Sequence, residues 1–271
     1  MPMSLDGEVV FITGGSAGIG AGLARECAGR GLRVAVAGRN KDRLDAVVET
    51  IDSDGGQALG VICDVTSRAS LDEAVESIIA KWGRLDTVIA NAGFGVSGSL
   101  ESLGTDDYRR QFDTNVFGLL DTVYAALPHV IESRGRVVLI SSVMGKLGRP
   151  NSSAYVASKF AVCGLAESIH YELRAKGVTV TCLNPGLVES NFRMTNNRSE
   201  WKEDKSDPAP EWLVVPTEAA ARSMVNAIQR RKREVTITGH GKSLVALHHY
   251  FPWLFHMAMR VMNRERASDG S

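Results

Sequence analysis

Seven short apolar runs, at 8–13, 33–38, 58–63, 86–90, 135–141, 178–184 and 234–238, alternate along the chain with longer amphipathic stretches. The runs are almost continuously apolar, as in Val137-Val-Leu-Ile140. That pattern fits strands covered on both faces rather than strands with a wet side. The stretches between them, at about 18–30, 41–53, 68–82, 105–132, 153–176 and 217–232, read as helices. Alternation of this kind predicts an α/β, doubly wound fold: a seven-stranded parallel sheet with right-handed crossovers and helices on both faces. At 271 residues, 44% of them hydrophobic, one large domain over 1–240 is expected, followed by an apolar helical extension at 241–271. The polar segment 191–216, with Trp201 and Trp212, has no clear periodicity and reads as a lid.

Lys+Arg and Asp+Glu balance at 31 each, so no global field favours nucleic acid or an acidic partner. Cys27, Cys63, Cys163 and Cys182 are far apart in sequence, sit in apolar stretches and form no Cys-x-x-Cys pair. Buried thiols in a reducing compartment are expected. The chain enters its first strand pattern at once, with no basic, apolar leader, so a cytoplasmic location is expected. The histidines show no metal-ligand spacing, and no metal is expected.

The first strand runs into Thr13-Gly-Gly-Ser-Ala-Gly-Ile-Gly20, which opens a helix. Gly14, Gly18 and Gly20, with Ser16 and Ile19 between them, make a turn whose backbone can approach a pyrophosphate, with helix N-terminal amides as donors. The second strand ends in Arg39, where a carboxylate would be expected for a cofactor with a free ribose 2′-hydroxyl. A guanidinium fork suits a 2′-phosphate instead, so NADP(H) is favoured over NAD(H).

Tyr155 and Lys159 stand four apart on a predicted helix and share a face. A tyrosine ordinarily titrates near pH ~10, too high for general catalysis at neutrality. A neighbouring ammonium favours the phenolate and lowers that value. Ser142 ends the fifth strand, at the edge where such sheets bind ligands, and its hydroxyl can stabilise charge on a substrate oxygen.

Taken in this order, these motifs resemble those of the short-chain dehydrogenase/reductase family, over about 8–190. The Gly-x-x-x-Gly-x-Gly spacing is the family's form of the Rossmann turn. The resemblance implies that Ser142 rather than Ser141 is the catalytic serine, and that Asn115 is a fourth catalytic position, distorting a helix and holding a water that links Lys159 to solvent. It also implies further cofactor contacts: Asp64 and Val65 at the adenine, Asn91-Ala92-Gly93 along the cleft, and Pro185-Gly186 with Val188 and Ser190 near the nicotinamide carboxamide. Tyr155 and Lys159 would touch the cofactor too, with Lys159 on the ribose. A homodimer or homotetramer is implied as well.

Beyond residue 238 the resemblance fades. Leu244, Leu247, Phe251, Phe255, Met259 and Met262 recur at helical spacing, and Pro252 is expected to divide the segment into two helices. Arginines and lysines flank it. A segment at 244–266 lying on a membrane surface, a pocket cover and a subunit contact are all compatible with it. The expected activity is hydride transfer between nicotinamide and a secondary alcohol or ketone of apolar character, with Val96, Met144, Arg149 and the 191–216 lid shaping the substrate pocket. The alternative is a catalytically silent dinucleotide sensor or scaffold of the same fold.

Overall fold

The structure is a computed structural model and describes residues 5–189, 197 and 210–268, the stretch 261–268 as backbone alone. Its sheet is formed by β1 (Val9–Thr13), β2 (Arg33–Gly38), β3 (Gln57–Ile62), β4 (Thr87–Ala90), β5 (Arg136–Ile140), β6 (Thr179–Asn184) and β7 (Glu234–Thr236). All pairings are parallel, in the order β3-β2-β1-β4-β5-β6-β7. The expected seven parallel strands are therefore present. β3 departs from the doubly buried pattern: Gln57, Gly60 and Ile62 are exposed and Ala58 alone is buried, as befits an edge.

Strand alternation sends neighbouring side chains into two separate cores. Val10, Ile12, Val34 and Val36 face α1 (Gly18–Ala28), α2 (Lys41–Ser53) and α7 (Thr217–Gln229), through Leu23, Leu44, Ile51 and Met224. Val9, Phe11, Val137 and Leu139 face α3 (Arg68–Trp82), α5 (Leu119–Glu132) and α6 (Ser153–Arg174), through Leu71, Ile78, Val123 and Val162. Both faces are thus dry, which is why the strands carry so few polar residues.

The stretch 105–132, read as one helix, is two. α4 (Thr105–Phe112) passes through a π-helical turn at Asp113–Gly118 into α5. At Gly118 a Cβ would stand 2.8 Å from Val65 Cγ2, so the chain comes too close to the loop after β3 for a side chain. Beyond β7, Thr238 caps α8 (Gly239–Tyr250) through its hydroxyl, which ends the strand two residues before the expected limit. Pro252 then opens α9 (Pro252–Ser268), the expected division into two helices. Phe255 is buried against Val143 and Leu147, so the extension is fastened to the loop after β5. Leu244, Tyr250, Phe251, Trp253 and Met257 are exposed. Among the described residues no helix is long and apolar enough to cross a membrane.

Candidate active site

The strand order reverses between β1 and β4, and the crevice at that switch point is where ligands bind in open sheets of this kind. Here it is a cleft of about 690 Å³. Its floor begins at the turn after β1, where Gly14 and Gly18 take φ values of +64° and +51° that β-carbon residues avoid. A Cβ on Gly20 would stand 2.2 Å from the Gly14 carbonyl oxygen. Asn91, at the end of β4, donates from Nδ2 to the carbonyls of Thr13 (2.9 Å) and Gly14 (3.1 Å), locking the turn to the sheet. The N-cap of α1 is Ala17, which has no side-chain acceptor for the first-turn amides. An anion at this uncapped helix start would meet unsatisfied donors and a positive dipole end. Ser16, Ile19, Ala92 and Gly93 complete this part of the wall.

One end of the cleft carries Arg39, Asp64 and Val65. Asp64 accepts from the Thr66 backbone N–H (2.9 Å) and hydroxyl (2.8 Å). Burial works to raise its pKa, but these bonds and the charge of Arg39 outweigh it and hold the carboxyl below its ordinary range. Arg43 lines the same end and escaped the sequence reading. Asn40 is the reason it is there: its Oδ1 caps α2 by accepting from the Arg43 N–H at 2.9 Å, which sets Arg43 in the first turn beside Arg39.

The other end gathers Ser142, Tyr155 and Lys159, with Pro185, Gly186 and Val188. Ser142 caps the short turn Val143–Gly145, accepting from the Met144 N–H at 3.1 Å and donating to the Pro185 carbonyl at 3.4 Å. Ser141 turns instead toward α6 and donates to the Lys159 carbonyl at 2.9 Å, which separates the two serines by role. Lys159 is buried, donates to the Ile140 carbonyl at 2.9 Å and lies 5.7 Å from the centre of the Tyr155 ring. Burial brings its pKa down to about 8, which leaves it mainly ammonium at neutral pH.

Asn115 lies within the π-turn, fully buried, and not on the cleft wall. Its amide accepts from the Phe94 N–H (3.1 Å) and donates to the Phe94 carbonyl (3.0 Å) and to Ser158 Oγ (3.3 Å). Gly93 is wedged between it and the lysine: a Cβ there would stand 3.0 Å from Asn115 Oδ1 and 3.8 Å from Lys159 Nζ. Val188 pairs with Val215 across an isolated bridge, so one end of the 191–216 segment is stitched to the cleft. His240, also missed in the sequence, accepts from the Leu187 N–H at 3.0 Å and braces the turn after β6 from α8. Of the segment itself only 197 and 210–216 are described, and Ser190 lies outside the described residues.

Comparison with known proteins agrees with this architecture. The short chain dehydrogenase family model matches residues 8–202. An uncharacterised oxidoreductase of Myxococcus xanthus is 40% identical over 70% of this chain and 76% of its own length. A hydroxynaphthalene reductase of Aspergillus fumigatus is 33% identical over 72% of this chain and 71% of its own. A short-chain dehydrogenase/reductase from Burkholderia phymatum, solved in complex with NAD, superposes with a TM-score of 0.82 at 24% identity, covering 93% of this chain and 96% of that one, and so shares the fold. The chain belongs to the short-chain dehydrogenase family of oxidoreductases.

Proposed function

We propose that this protein is an NADP(H)-dependent reductase or dehydrogenase acting on the ketone or secondary alcohol of a small apolar molecule. The observation that carries this reading is the meeting of Ser142, Tyr155 and Lys159 in one cleft with the glycine turn and Arg39. The residues suit the cofactor: Gly14, Gly18 and Gly20 clear a path for a pyrophosphate onto an uncapped helix start. Arg39, with Arg43 beside it, offers guanidinium donors for a 2′-phosphate. Asp64 and Val65 serve the adenine, Asn91-Ala92-Gly93 the middle, and Pro185, Gly186, Val188 and Ser190 the carboxamide. Nicotinamide, when bound, supplies or accepts the hydride.

The chain's own residues handle the oxygen and its proton. In reduction, Tyr155 donates its phenolic proton to the carbonyl oxygen, and in oxidation it takes one from the alcohol. The Lys159 ammonium stabilises the phenolate that remains. Ser142 hydrogen-bonds the same oxygen and stabilises charge developing there. Asn115 acts by holding Phe94 and Ser158, and so the wall beside Lys159, with a proton path to solvent through a water. The similarity to a hydroxynaphthalene reductase of Aspergillus fumigatus supports a cyclic apolar carbonyl as substrate class.

The outward face of α8 and α9, with exposed Tyr250, Phe251 and Trp253 near Lys242, fits either a peripheral contact with an anionic membrane or a second subunit in a dimer or tetramer. Sedimentation with and without anionic vesicles separates the two. The functional reading itself is tested by NADPH and NADH oxidation against a panel of steroid ketones, 3-oxoacyl thioesters and aromatic ketones, with Tyr155→Phe as control. Turnover with NADPH that vanishes in Tyr155→Phe while the cofactor still binds is expected. Tight NADPH binding with no turnover on any carbonyl would favour the silent sensor.

A further inference from the structure

The four cysteines look unrelated in the sequence, yet two of them meet. Cys163 lies one turn beyond Lys159 on α6, Cys182 lies on β6, and their sulfurs are 4.0 Å apart. Helix α6 packs on β6, and this contact rather than sequence spacing brings them together. Neither thiol touches the cleft or has a part in the proton chemistry above.

Their surroundings are polar for a core position. Ser141 Oγ stands 3.2 Å from Cys163 Sγ, and Asn184 Oδ1 stands 3.5 Å from Cys163 Sγ and 3.7 Å from Cys182 Sγ. Asn184 is held by Glu234 at 2.7 Å, which in turn pairs with Lys146 at 2.6 Å. Cys163 is partly exposed, whereas Cys182 is buried. Cys27 and Cys63 are also buried, and burial raises the pKa of both. A thiol hydrogen bond from Cys182, helped by Ser141 and the Lys146 ammonium, overcomes burial at Cys163 and brings it down to about 7. The same coupling pushes Cys182 up, so it keeps its proton. Cys163, the partly exposed sulfur, is the one a small oxidant can reach, and the buried Cys182 is its partner.

We propose that Cys163 and Cys182 are a peroxide-oxidisable dithiol that closes to an intramolecular disulfide between α6 and β6. In the first step the Cys163 thiolate attacks one oxygen of hydrogen peroxide. The S–O bond forms, the O–O bond breaks, and the departing hydroxide takes a proton to become water, leaving a sulfenic acid. In the second step the Cys182 sulfur attacks that of Cys163. The S–S bond forms, the S–O bond breaks, and the leaving hydroxide takes the Cys182 proton as a second water. The sulfur pair loses two electrons and the peroxide gains them. A disulfide needs sulfurs about 2 Å apart, so α6 and β6 or their side chains must close the remaining gap. That movement falls one turn from Lys159 and acts on the Ser141 contacts that tie α6 to the end of β5.

The test needs no knowledge of substrate or cofactor. The reduced full-length protein is treated with hydrogen peroxide, quenched, denatured and labelled with a maleimide, and its thiols are counted by intact mass. Two of the four cysteines are expected to be lost to labelling, with a Cys163–Cys182 cross-linked peptide after digestion. Cys163→Ser should keep all its thiols at a dose that closes the wild type. Cys182→Ser should accumulate a sulfenic acid at Cys163 that dimedone captures. A Cys27→Ser, Cys63→Ser double variant should close like the wild type. Retention of all four thiols, a cross-link involving Cys27 or Cys63, or a link between two chains would each overturn the proposal.

Discussion

Replacing Lys159 by methionine should stabilise the cofactor-free protein while silencing its site. Lys159 is only 4% exposed, and burial lowers its pKa from 10.5 to about 8. At about 1.4 kcal/mol per pH unit, that gap is a penalty of about 3 kcal/mol on folding with the ammonium buried. Methionine keeps most of the apolar stem and removes the charge. It also loses the bond to the Ile140 carbonyl, worth about 1 kcal/mol. A net gain of about 2 kcal/mol is expected at pH 7. The pH dependence follows from the sign of the shift. Because the folded pKa lies below the unfolded one, the penalty is complete below pH 8, shrinks as pH rises, and is gone above 10.5. The advantage of the variant should therefore fall to near zero by about pH 10. Urea unfolding of both proteins at the two pH values measures this. A variant less stable than wild type at pH 7, or an advantage that does not shrink with pH, would refute the view that Lys159 is held at an energetic cost for the sake of the site.

Three further outcomes follow from the cleft and its supports. Gly20→Ala forces a Cβ to within 2.2 Å of the Gly14 carbonyl and 2.7 Å of Asn91 Nδ2; overpacking of this kind costs about 1–3 kcal/mol, seen as a lower Tm, with NADPH binding lost. Arg39→Ser should raise the KM for NADPH by about 10–100-fold, the worth of a charge-assisted hydrogen bond, and leave that for NADH nearly unchanged in steady-state assays; an equal rise for both would remove Arg39 from the 2′-phosphate. Phe255→Ala empties the contact with Val143 and Leu147 and should cost about 3 kcal/mol in chemical unfolding; no loss would mean that the extension is not fastened to the loop after β5.

The strands were legible because a doubly covered sheet admits almost nothing but apolar residues, and each run came within two residues of its observed limits. What the periodicity could not show was the π-turn. Asp113–Gly118 carries no residue type that marks such a turn, and Asn115 came forward only through a resemblance. Its burial and its grip on Phe94 are tertiary facts. Arg43 was hidden for a different reason: it looks like any exposed helix residue until Asn40 is seen to cap α2. The cysteines were read as buried thiols, which holds for Cys27, Cys63 and Cys182, whereas Cys163 is partly exposed. Their isolation in the sequence did not survive folding, because the pairing depends on the register of α6 against β6. That Ser142, Tyr155 and Lys159 would share one cleft was legible because Tyr155 and Lys159 need only helical spacing to share a face, and Ser142 needs only to end a strand.

The most direct test of the central claim is to follow the transferred hydrogen. Purified enzyme would be mixed with NADPH deuterated at nicotinamide C4, one epimer at a time, and a carbonyl that supports turnover. The expected result is deuterium on the carbinol carbon of the product from one epimer only, with no product from Tyr155→Phe although it still binds NADPH. Deuterium washed out to solvent, or undiminished product from Tyr155→Phe, would contradict hydride transfer with Tyr155 as the proton donor.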